Sequence, residues 1–275
     1  MKHNYHSHTV RCGHAIGTER EYIENGIRNG LITIGFSDHS PYTFWKGRDG
    51  GLEVNRELAS DYFRTLGLLR QEYRETHPGI RIPIGLELEY FPEVFESTLQ
   101  VIDSCAAVLD SGERVSLEYI ILGQHMIGLS SDTPGYTGMP DDSEKRLAAY
   151  VSSVIAGMES GRFTYLAHPD LINFTGADAV YEKHMRDICI AAKELSVPLE
   201  INLLGLHEHR NYPNDLFWNM VRETGNLVVM GCDAHAPERV GNPELIAEGE
   251  AFAARYGLLV LDELALKNPL GKQAN

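Results

Sequence analysis

Short apolar runs alternate with longer amphipathic segments along the whole chain. The runs are rich in β-prone residues and end in polar ones, a pattern typical of strands that are followed by helices. Seven strands and a weaker eighth are predicted, at residues 4–8, 31–36, 81–87, 118–123, 163–167, 198–202, 227–231 and 257–261.

Three helices are indicated between these runs. Thr18 and Glu21 form a capping-box motif, and Gly30 is a suitable end for the helix that it opens. Residues 55–77 and 143–161 carry apolar side chains every three or four positions, which places them on one face of a helix.

The alternation of strands and helices favours a parallel sheet. Seven or eight such units in 275 residues favour an α/β barrel of about 250 residues over an open doubly wound sheet, which remains the alternative. No G-x-G-x-x-G motif follows any predicted strand, so the sequence does not favour dinucleotide binding.

The composition narrows the class of protein. The net charge of −15 and the lack of any Lys/Arg run argue against binding to nucleic acid. There is no apolar signal segment, and no apolar run approaches the about 20 residues of a membrane helix. We expect one domain over residues 1–275, of which about the last ten residues form a loose tail. We expect the protein to be located in the cytoplasm and to bind neither membrane nor nucleic acid. The number of subunits stays open.

Polar side chains that can bind metals occur where the predicted strands end. His6 with His8, and Asp233 with His235, stand two positions apart, so in extended backbone each pair points to one side. The carboxyl ends of barrel strands share one rim, where barrel enzymes place their chemistry. The residues at or just after these ends are His6, His8, Asp38, His39, Glu87, His125, His168, Asn202, Asp233 and His235.

Each of these residues alone has an ordinary structural explanation. A single histidine at a strand end is more often a hydrogen-bonded structural residue than a ligand, and Asp233 could cap the next helix. All seven main strands nevertheless end in a ligand-type residue, which favours a metal site for the set. His, Asp and Glu together, with no cysteine required, suit Zn²⁺, Mn²⁺ or Fe²⁺.

These residues resemble the metal-ligand pattern of the polymerase and histidinol phosphatase (PHP) superfamily. The segments His6–Thr9, Cys12–Ala15 and Gly35–Pro41 are similar to its histidinol-phosphate phosphatase branch, and the resemblance extends from residue 6 to residue 241. It implies a distorted (β/α)7 TIM-like barrel with two or three divalent metal ions (Zn, Mn or Fe) at the C-terminal rim of the strands.

The resemblance also implies how the ligands divide among the metals. The first metal would be held by His6, His8, Glu87 and Asp233; the second by the bridging Glu87 with His125 and His168; the third by His14, His39 and His235. Asp38 would orient a histidine ring from behind. Every ligand position of the pattern is filled in this chain.

The implied activity is hydrolysis of a phosphomonoester by a metal-bound hydroxide, with Glu87, Asp233 and His235 acting through the metals. The implied substrate is a small phosphorylated metabolite, L-histidinol phosphate, which would place the enzyme in histidine biosynthesis. Candidate substrate-binding residues after the sixth and seventh strands are His207, His209, Arg210 and Arg239. Tyr42, Phe44 and Trp45 could wall the pocket, although simple loop packing explains them equally well.

Two other functions remain as alternatives. The chain could be a PHP phosphoesterase for another small ester, such as a nucleotide, a sugar phosphate or a phosphopeptide. It could also be a metal-binding regulator without turnover, but the complete ligand set, with Glu87 in the bridging position, argues against that.

Overall fold

The computed structural model describes residues 1–40, 42–43, 53–128 and 135–271. Its strands are β1 (His3–Asn4), β2 (Thr33–Ile34), β3 (Phe36–His39), β4 (Tyr42–Thr43), β5 (Glu53–Val54), β6 (Ile84–Leu88), β7 (Ala107–Val108), β8 (Arg114–Val115), β9 (Tyr119–Leu122), β10 (Leu199–Asn202), β11 (Leu227–Gly231) and β12 (Leu259–Leu261). Its helices are α1 (Glu19–Arg28), α2 (Arg56–Thr76), α3 (Phe95–Ser104), α4 (Glu144–Glu159), α5 (Asp178–Glu194), α6 (Leu203–His207), α7 (Asp215–Thr224) and α8 (Pro243–Tyr256). Short 3-10 turns span Val10–Cys12 and Pro237–Arg239.

The main strands pair in parallel, as a series of strand-helix units requires. One three-stranded sheet has the order β3-β6-β9, another has the order β10-β11-β12, and β1 pairs with β2. Isolated parallel bridges continue this pairing at Leu122–Leu166, Leu166–Leu199 and Ser7–Ala234. The fold is therefore α/β with parallel strands, although the strands assigned within the described residues do not form one closed barrel.

Three predicted strands differ in the structure. The second, at residues 31–36, is interrupted after Ile34, and β3 continues to His39, so Asp38 and His39 lie within a strand and do not follow one. The first ends at Asn4, because the Asn4 side chain accepts the N–H groups of His6 and Cys232 that a strand partner would otherwise accept. Residues 163–167 form no regular strand, and Leu166 alone bridges both neighbours. The weaker eighth prediction is confirmed as β12.

The three predicted helices are confirmed as α1, α2 and α4. Thr18 caps α1 in a complete capping box with Glu21, and Gly30 follows the helix with a positive φ of 81°. Side chains of Asn55 and Ser143 cap α2 and α4 by accepting backbone N–H groups of the first turn. Local sequence signals therefore set these helix starts.

The strands are buried on both faces, as is typical of parallel sheets. Alternate residues such as Ile84, Leu86 and Leu88 join the main core. The opposite face of the strands carries a smaller inner cluster, formed by Tyr5, Tyr119, Ile121, Tyr165, Ala167 and Val229. This inner face continues towards the carboxyl ends of the strands, where the polar residues lie.

The segment around Leu264 and Lys267 packs against the inner face of the strands. Leu264 and Leu266 pack against the inner cluster, the Leu264 N–H donates to Tyr5 Oη at 3.1 Å, and the Lys267 N–H donates to Thr164 Oγ1 at 3.2 Å. These contacts hold residues 264–267 beside the inner cluster. Among the described residues, no helix is both long and apolar enough to cross a bilayer.

Candidate metal centre

Strand alternation positions the carboxylates of the site. In β6, Glu87 shares the inner face with Gly85, and in β10 Glu200 shares it with Asn202. Space for both glutamates depends on glycine. A Cβ atom at Gly123 would lie 2.0 Å from Glu87 Oε1, and one at Gly231 would lie 1.8 Å from Glu200 Oε1.

His6 and His8 lie on the same side of an extended segment and are fully buried. The segment is held against the residues after β11, because the His8 N–H donates to the Ala234 carbonyl at 2.9 Å and the Ala234 N–H to the His6 carbonyl at 3.3 Å. These backbone bonds bring the two histidines beside Asp233, which adopts a positive φ of 46°.

Four buried atoms from these segments converge on one point. His6 Nε2 lies 3.2 Å from His8 Nε2, 3.6 Å from Glu87 Oε2 and 3.5 Å from Asp233 Oδ1. His8 Nε2 lies 3.6 Å from the same Glu87 oxygen and 3.0 Å from the same Asp233 oxygen. A tetrahedral zinc ion with bonds of about 2.0–2.2 Å holds its ligand atoms about 3.3–3.6 Å apart. The donor types and separations therefore fit a metal ion.

The second oxygen of Glu87 faces a different pair of histidines. Glu87 Oε1 lies 2.7 Å from His168 Nε2 and 3.6 Å from His125 Nε2. A carboxylate whose two oxygens face two ligand groups has the geometry of a bridge between metals. Like the Asp233 backbone, that of His168 has positive φ, here 26°.

The three histidines expected at a third metal also lie together. The ring of His14 is 4.7 Å from that of His235 and 5.3 Å from that of His39, between centroids. Ligand atoms of His8, His39 and His235 lie within 4.8 Å of one another, as do those of Cys12, His14 and His235. This group lies on the more exposed side of the site, where His14 is solvent-accessible.

Carboxylates lie behind three of the histidines, at the ring nitrogen that faces away from the cluster. Glu200 accepts from His6 Nδ1 at 2.8 Å; Asp38 Oδ1 lies 3.4 Å from His8 Nδ1; Glu89 Oε1 lies 3.3 Å from His125 Nδ1. Of these carboxylates, sequence reasoning named only Asp38. Glu200 carried a signal, because it is a charged residue between Leu199 and Ile201 on the same strand face as Asn202.

The charged groups of the cluster shift one another's pKa values. Burial alone would lower the pKa of His8, but Asp233, Asp38 and Glu87 raise it to about 9. Burial would raise the pKa of Glu87, but His125, His6 and His168 hold it well below its ordinary value. The pKa of His235 is lowered to about 3 by burial and by His8. Ionised carboxylates crowded around histidines form a site that attracts positive charge.

Two atoms show directly that these contacts are incomplete. Glu87 Oε2 and His235 Nε2 are buried and make no hydrogen bond within the described residues. A buried polar atom without a partner costs roughly 1–3 kcal/mol, so such atoms are normally satisfied by a ligand, water or ion. A metal ion would satisfy both.

The structure places some of the expected substrate-binding residues at the pocket and others away from it. Arg210 lines the pocket above the cluster, held by Glu208 Oε2 at 2.8 Å and by Tyr212 Oη at 3.0 Å. Arg239 approaches Glu208 at 3.7 Å. His207 turns to Glu248 of α8, 3.2 Å away.

The structure provides less information about the remaining residues predicted to lie in the pocket wall. His209 follows α6 with a positive φ of 52° and is absent from the described pocket wall. Phe44, Trp45 and the side chain of Tyr42 lie outside the described residues. Tyr136 and Tyr212 are the aromatic residues that the structure places in the wall near Arg210, and neither was predicted.

Two curated proteins that are similar to this chain carry the name histidinol-phosphatase. A probable histidinol-phosphatase of Deinococcus radiodurans is 28% identical over 86% of this chain and 87% of its own length. A histidinol-phosphatase of Bacillus subtilis is 23% identical over 88% of this chain and 96% of its own.

The fold has a counterpart of known structure. Histidinol phosphate phosphatase from Lactococcus lactis, solved with zinc, L-histidinol and phosphate, matches with a TM-score of 0.69 at 20% identity, over 98% of this chain and 97% of that one. The PHP domain family matches residues 4–203. That match covers most of the chain, and the chain belongs to the PHP domain family.

Proposed function

We propose that this protein is a metal-dependent phosphatase that hydrolyses L-histidinol phosphate to L-histidinol and phosphate. The observation that carries the proposal is the convergence of His6, His8, Glu87 and Asp233 on one buried point, with separations that suit a metal ion. The names of the relatives from D. radiodurans and B. subtilis support this choice of substrate.

Two or three divalent ions (Zn, Mn or Fe) would be held by the nine ligand residues. His6, His8, Glu87 and Asp233 would hold the first. Glu87, His125 and His168 would hold the second, and His14, His39 and His235 the third. The two-sided contacts of Glu87 and the grouping of the three outer histidines support this division.

Bound divalent metals supply an acidified water as nucleophile and neutralise the charge on the phosphoryl oxygens. The chain's own residues prepare this chemistry. Glu87 and Asp233 remain ionised because histidines surround them. Asp38 Oδ1 lies 3.4 Å from His8 Nδ1, where it would orient the ring with Nε2 towards the cluster.

Arg210 would bind the phosphate of the substrate at the open side of the cluster. Its guanidinium is fixed at the pocket wall by Glu208 and Tyr212, so little side-chain freedom is lost on binding. Glu208 also faces Arg239, which would make Arg239 a supporting residue of this wall. His207 and His209 stay candidates for contacts with the leaving group.

We further propose that residues 1–275 form a single distorted seven-stranded barrel. The parallel bridge Ser7–Ala234 joins the first strand segment to the residues after β11, and Leu166 joins β9 to β10. A continuous main core from Tyr22 to Tyr256 supports one domain.

The decisive experiment measures initial rates of phosphate release from a panel of monoesters. The panel contains L-histidinol phosphate, nucleotides, sugar phosphates and a phosphotyrosine peptide, with Zn²⁺ or Mn²⁺ added and with chelator as control. A large kcat/KM advantage for histidinol phosphate, lost on chelation, is expected. Turnover of another ester without activity on histidinol phosphate would overturn the substrate assignment and keep the metal chemistry.

A phosphatase for another small ester is the second candidate. A relative from Proteus mirabilis, 21% identical over 88% of this chain and 82% of its own length, carries only the name of a probable phosphatase. The same panel separates the two, because this candidate predicts its largest kcat/KM on a different ester.

A further inference from the structure

We infer that Glu200 is a positioning residue for the metal centre, an inference that rests on the proposed function. Glu200 is fully buried in the middle of β10 and lies just beneath the first ligand group. It belongs to neither the predicted ligands nor the predicted substrate contacts, yet its side chain hydrogen-bonds to two of the segments that carry ligands and reaches a third through Asn202.

Every contact to the Glu200 carboxylate comes from a donor. Oε1 faces His6 Nδ1 at 2.8 Å and the Tyr165 hydroxyl at 3.4 Å. Oε2 accepts from the His168 backbone N–H at 3.1 Å and from Asn202 Nδ2 at 2.9 Å. An ionised carboxylate can accept all four bonds, whereas an amide has only one accepting oxygen. The environment therefore suits a carboxylate, with two accepting oxygens, better than an amide at this position.

The bond to His6 determines what that histidine can do. When Nδ1 carries the proton that Glu200 accepts, Nε2 keeps its lone pair and points to the cluster. The negative charge behind the ring also strengthens the imidazole as a ligand. Loss of the carboxylate would free the ring to rotate or to change tautomer.

A second path leads from Glu200 to Asp233. Asn202 Nδ2 donates to Glu200 Oε2 and, at 3.0 Å, to Asp233 Oδ2, so the other oxygen of Asp233 faces His6 and His8. Asn202 is itself held by the N–H of Gly205, which its Oδ1 accepts as the cap of α6. Glu200 thus fixes ligands on two segments that are distant in sequence.

The test uses the full chain and Zn²⁺ alone as the probe. The Glu200→Gln variant keeps the size of the side chain but places an NH₂ group against donors. Glu118→Gln is the matched control: Glu118 accepts from Arg70 and from the Ile84 N–H, at the opposite end of β6 from Glu87. Zinc dissociation constants come from competition with a chromogenic chelator, and folding is checked by circular dichroism in excess chelator.

Glu200→Gln should raise the zinc dissociation constant of the tightest site by roughly 10- to 100-fold, as loss of a carboxylate behind a ligand typically does. The Zn²⁺ concentration needed for half-maximal turnover should rise by the same factor, while KM for the ester at saturating Zn²⁺ stays constant. Glu118→Gln should leave zinc affinity unchanged within about twofold, because distant sites act independently.

A second variant protects the test against misfolding of the first. Gly231→Ala retains Glu200 but places a Cβ atom 1.8 Å from the present position of Glu200 Oε1, which must then move, so it should weaken zinc binding in the same direction. Wild-type zinc affinity in Glu200→Gln or Gly231→Ala, or an equal loss in Glu118→Gln, overturns the inference. If zinc-loaded wild type hydrolyses no monoester while the zinc affinities follow this order, the proposed function fails and the role of Glu200 stands.

Discussion

Buried charges are neutralised in different ways at the two ends of β6. At its beginning, the guanidinium of the buried Arg70 lies 2.5 Å from Glu118 and 3.0 Å from Glu113. The Glu118 carboxylate also accepts a hydrogen bond from the Ile84 N–H. At its other end, Glu87 is surrounded by histidines. Within the described residues, no lysine or arginine forms an ion pair with Glu87, Glu200 or Asp233.

The difference lies in the source of positive charge. An arginine is always protonated, so the Arg70 cluster is neutralised by the chain itself. A histidine provides positive charge only by holding a proton, and the same nitrogen can instead bind a metal. The carboxylates at the Glu87 end are therefore neutralised by a proton or an ion taken from solution, as is expected of a binding site. The following predictions test this contrast.

The largest effect is expected from removal of Glu87. Glu87→Ala removes the carboxylate that faces both ligand groups, so turnover should fall by at least ~10³-fold and metal content per chain should decrease. Initial rates and elemental analysis of the dialysed protein measure the two effects. Retained activity in this variant would exclude a bridged pair of metals.

The contrast also shows what sequence can predict. Glu87, His6 and Asp233 were found because they end apolar runs, and a parallel sheet brings such ends together. Glu200 and Glu89 were missed because they lie inside or beyond a strand, and their contacts depend on neighbouring strands. Strand pairing sets the space beside Gly231 and Gly123, which no local signal in the sequence describes.

The same reasoning explains the errors in the strands. Hydrophobic runs predicted the parallel α/β fold and the position of most strands. The side chain of Asn4 ends β1 early, and in residues 163–167 only Leu166 forms a bridge, although Thr164, Tyr165 and Ala167 also hydrogen-bond to the backbone of β9. Both depend on long-range hydrogen bonds. The division of rim residues between cluster and surface, such as His207 turning to Glu248, has the same cause.

Metal removal should destabilise the protein through the Glu87 end alone. A ligand at 100 times its dissociation constant stabilises the folded state by about 2.7 kcal/mol. For a chain of this size that corresponds to a fall in Tm of roughly 5–10 °C on chelation, measured by differential scanning fluorimetry. Glu118→Gln should show the same fall, and Glu87→Ala a much smaller one. Equal falls in all three proteins would contradict the contrast.

Asp170 provides a comparison at this end, because the hydrogen-bond donors to its carboxylate are not histidines. It is buried, accepts from the Asn214 N–H and from Trp218 Nε1, and burial raises its pKa to about 7. Its folded pKa exceeds the unfolded one, so the stability that it contributes is present at low pH and is lost as pH rises towards 7.

Asp170→Asn removes this titration and keeps an accepting oxygen. The stability of the variant relative to wild type should therefore increase between pH 5 and pH 8, by at most roughly 3 kcal/mol. Urea denaturation in excess chelator measures it, and the histidines, common to both proteins, cancel in the difference. A difference independent of pH would show that Asp170 titrates normally.

Arg210 is an arginine of the pocket wall, and its removal provides a smaller effect. Arg210→Ala removes a guanidinium oriented by Glu208 and Tyr212, so KM for the phosphate ester should rise roughly 10- to 100-fold, the cost of a charged hydrogen bond. Zinc affinity should not change. The matched control, Arg239→Ala, should raise KM less, because within the described residues the ion pair of the Arg239 guanidinium is with Glu208. Equal effects would assign the phosphate contact to both arginines.

The smallest effect is expected at the opposite end of β6. Glu118→Gln weakens one of two partners of Arg70, but Glu113 still neutralises the guanidinium, and the Glu118 side chain is partly exposed to solvent. The free energy of unfolding should therefore fall by only about 1 kcal/mol, measured by urea denaturation. Turnover and metal content should match wild type. A charge that the chain itself neutralises supports the fold, whereas the charge at Glu87 is available for binding. A loss of metal in Glu118→Gln would mean that the two ends are coupled through β6 and would remove this distinction.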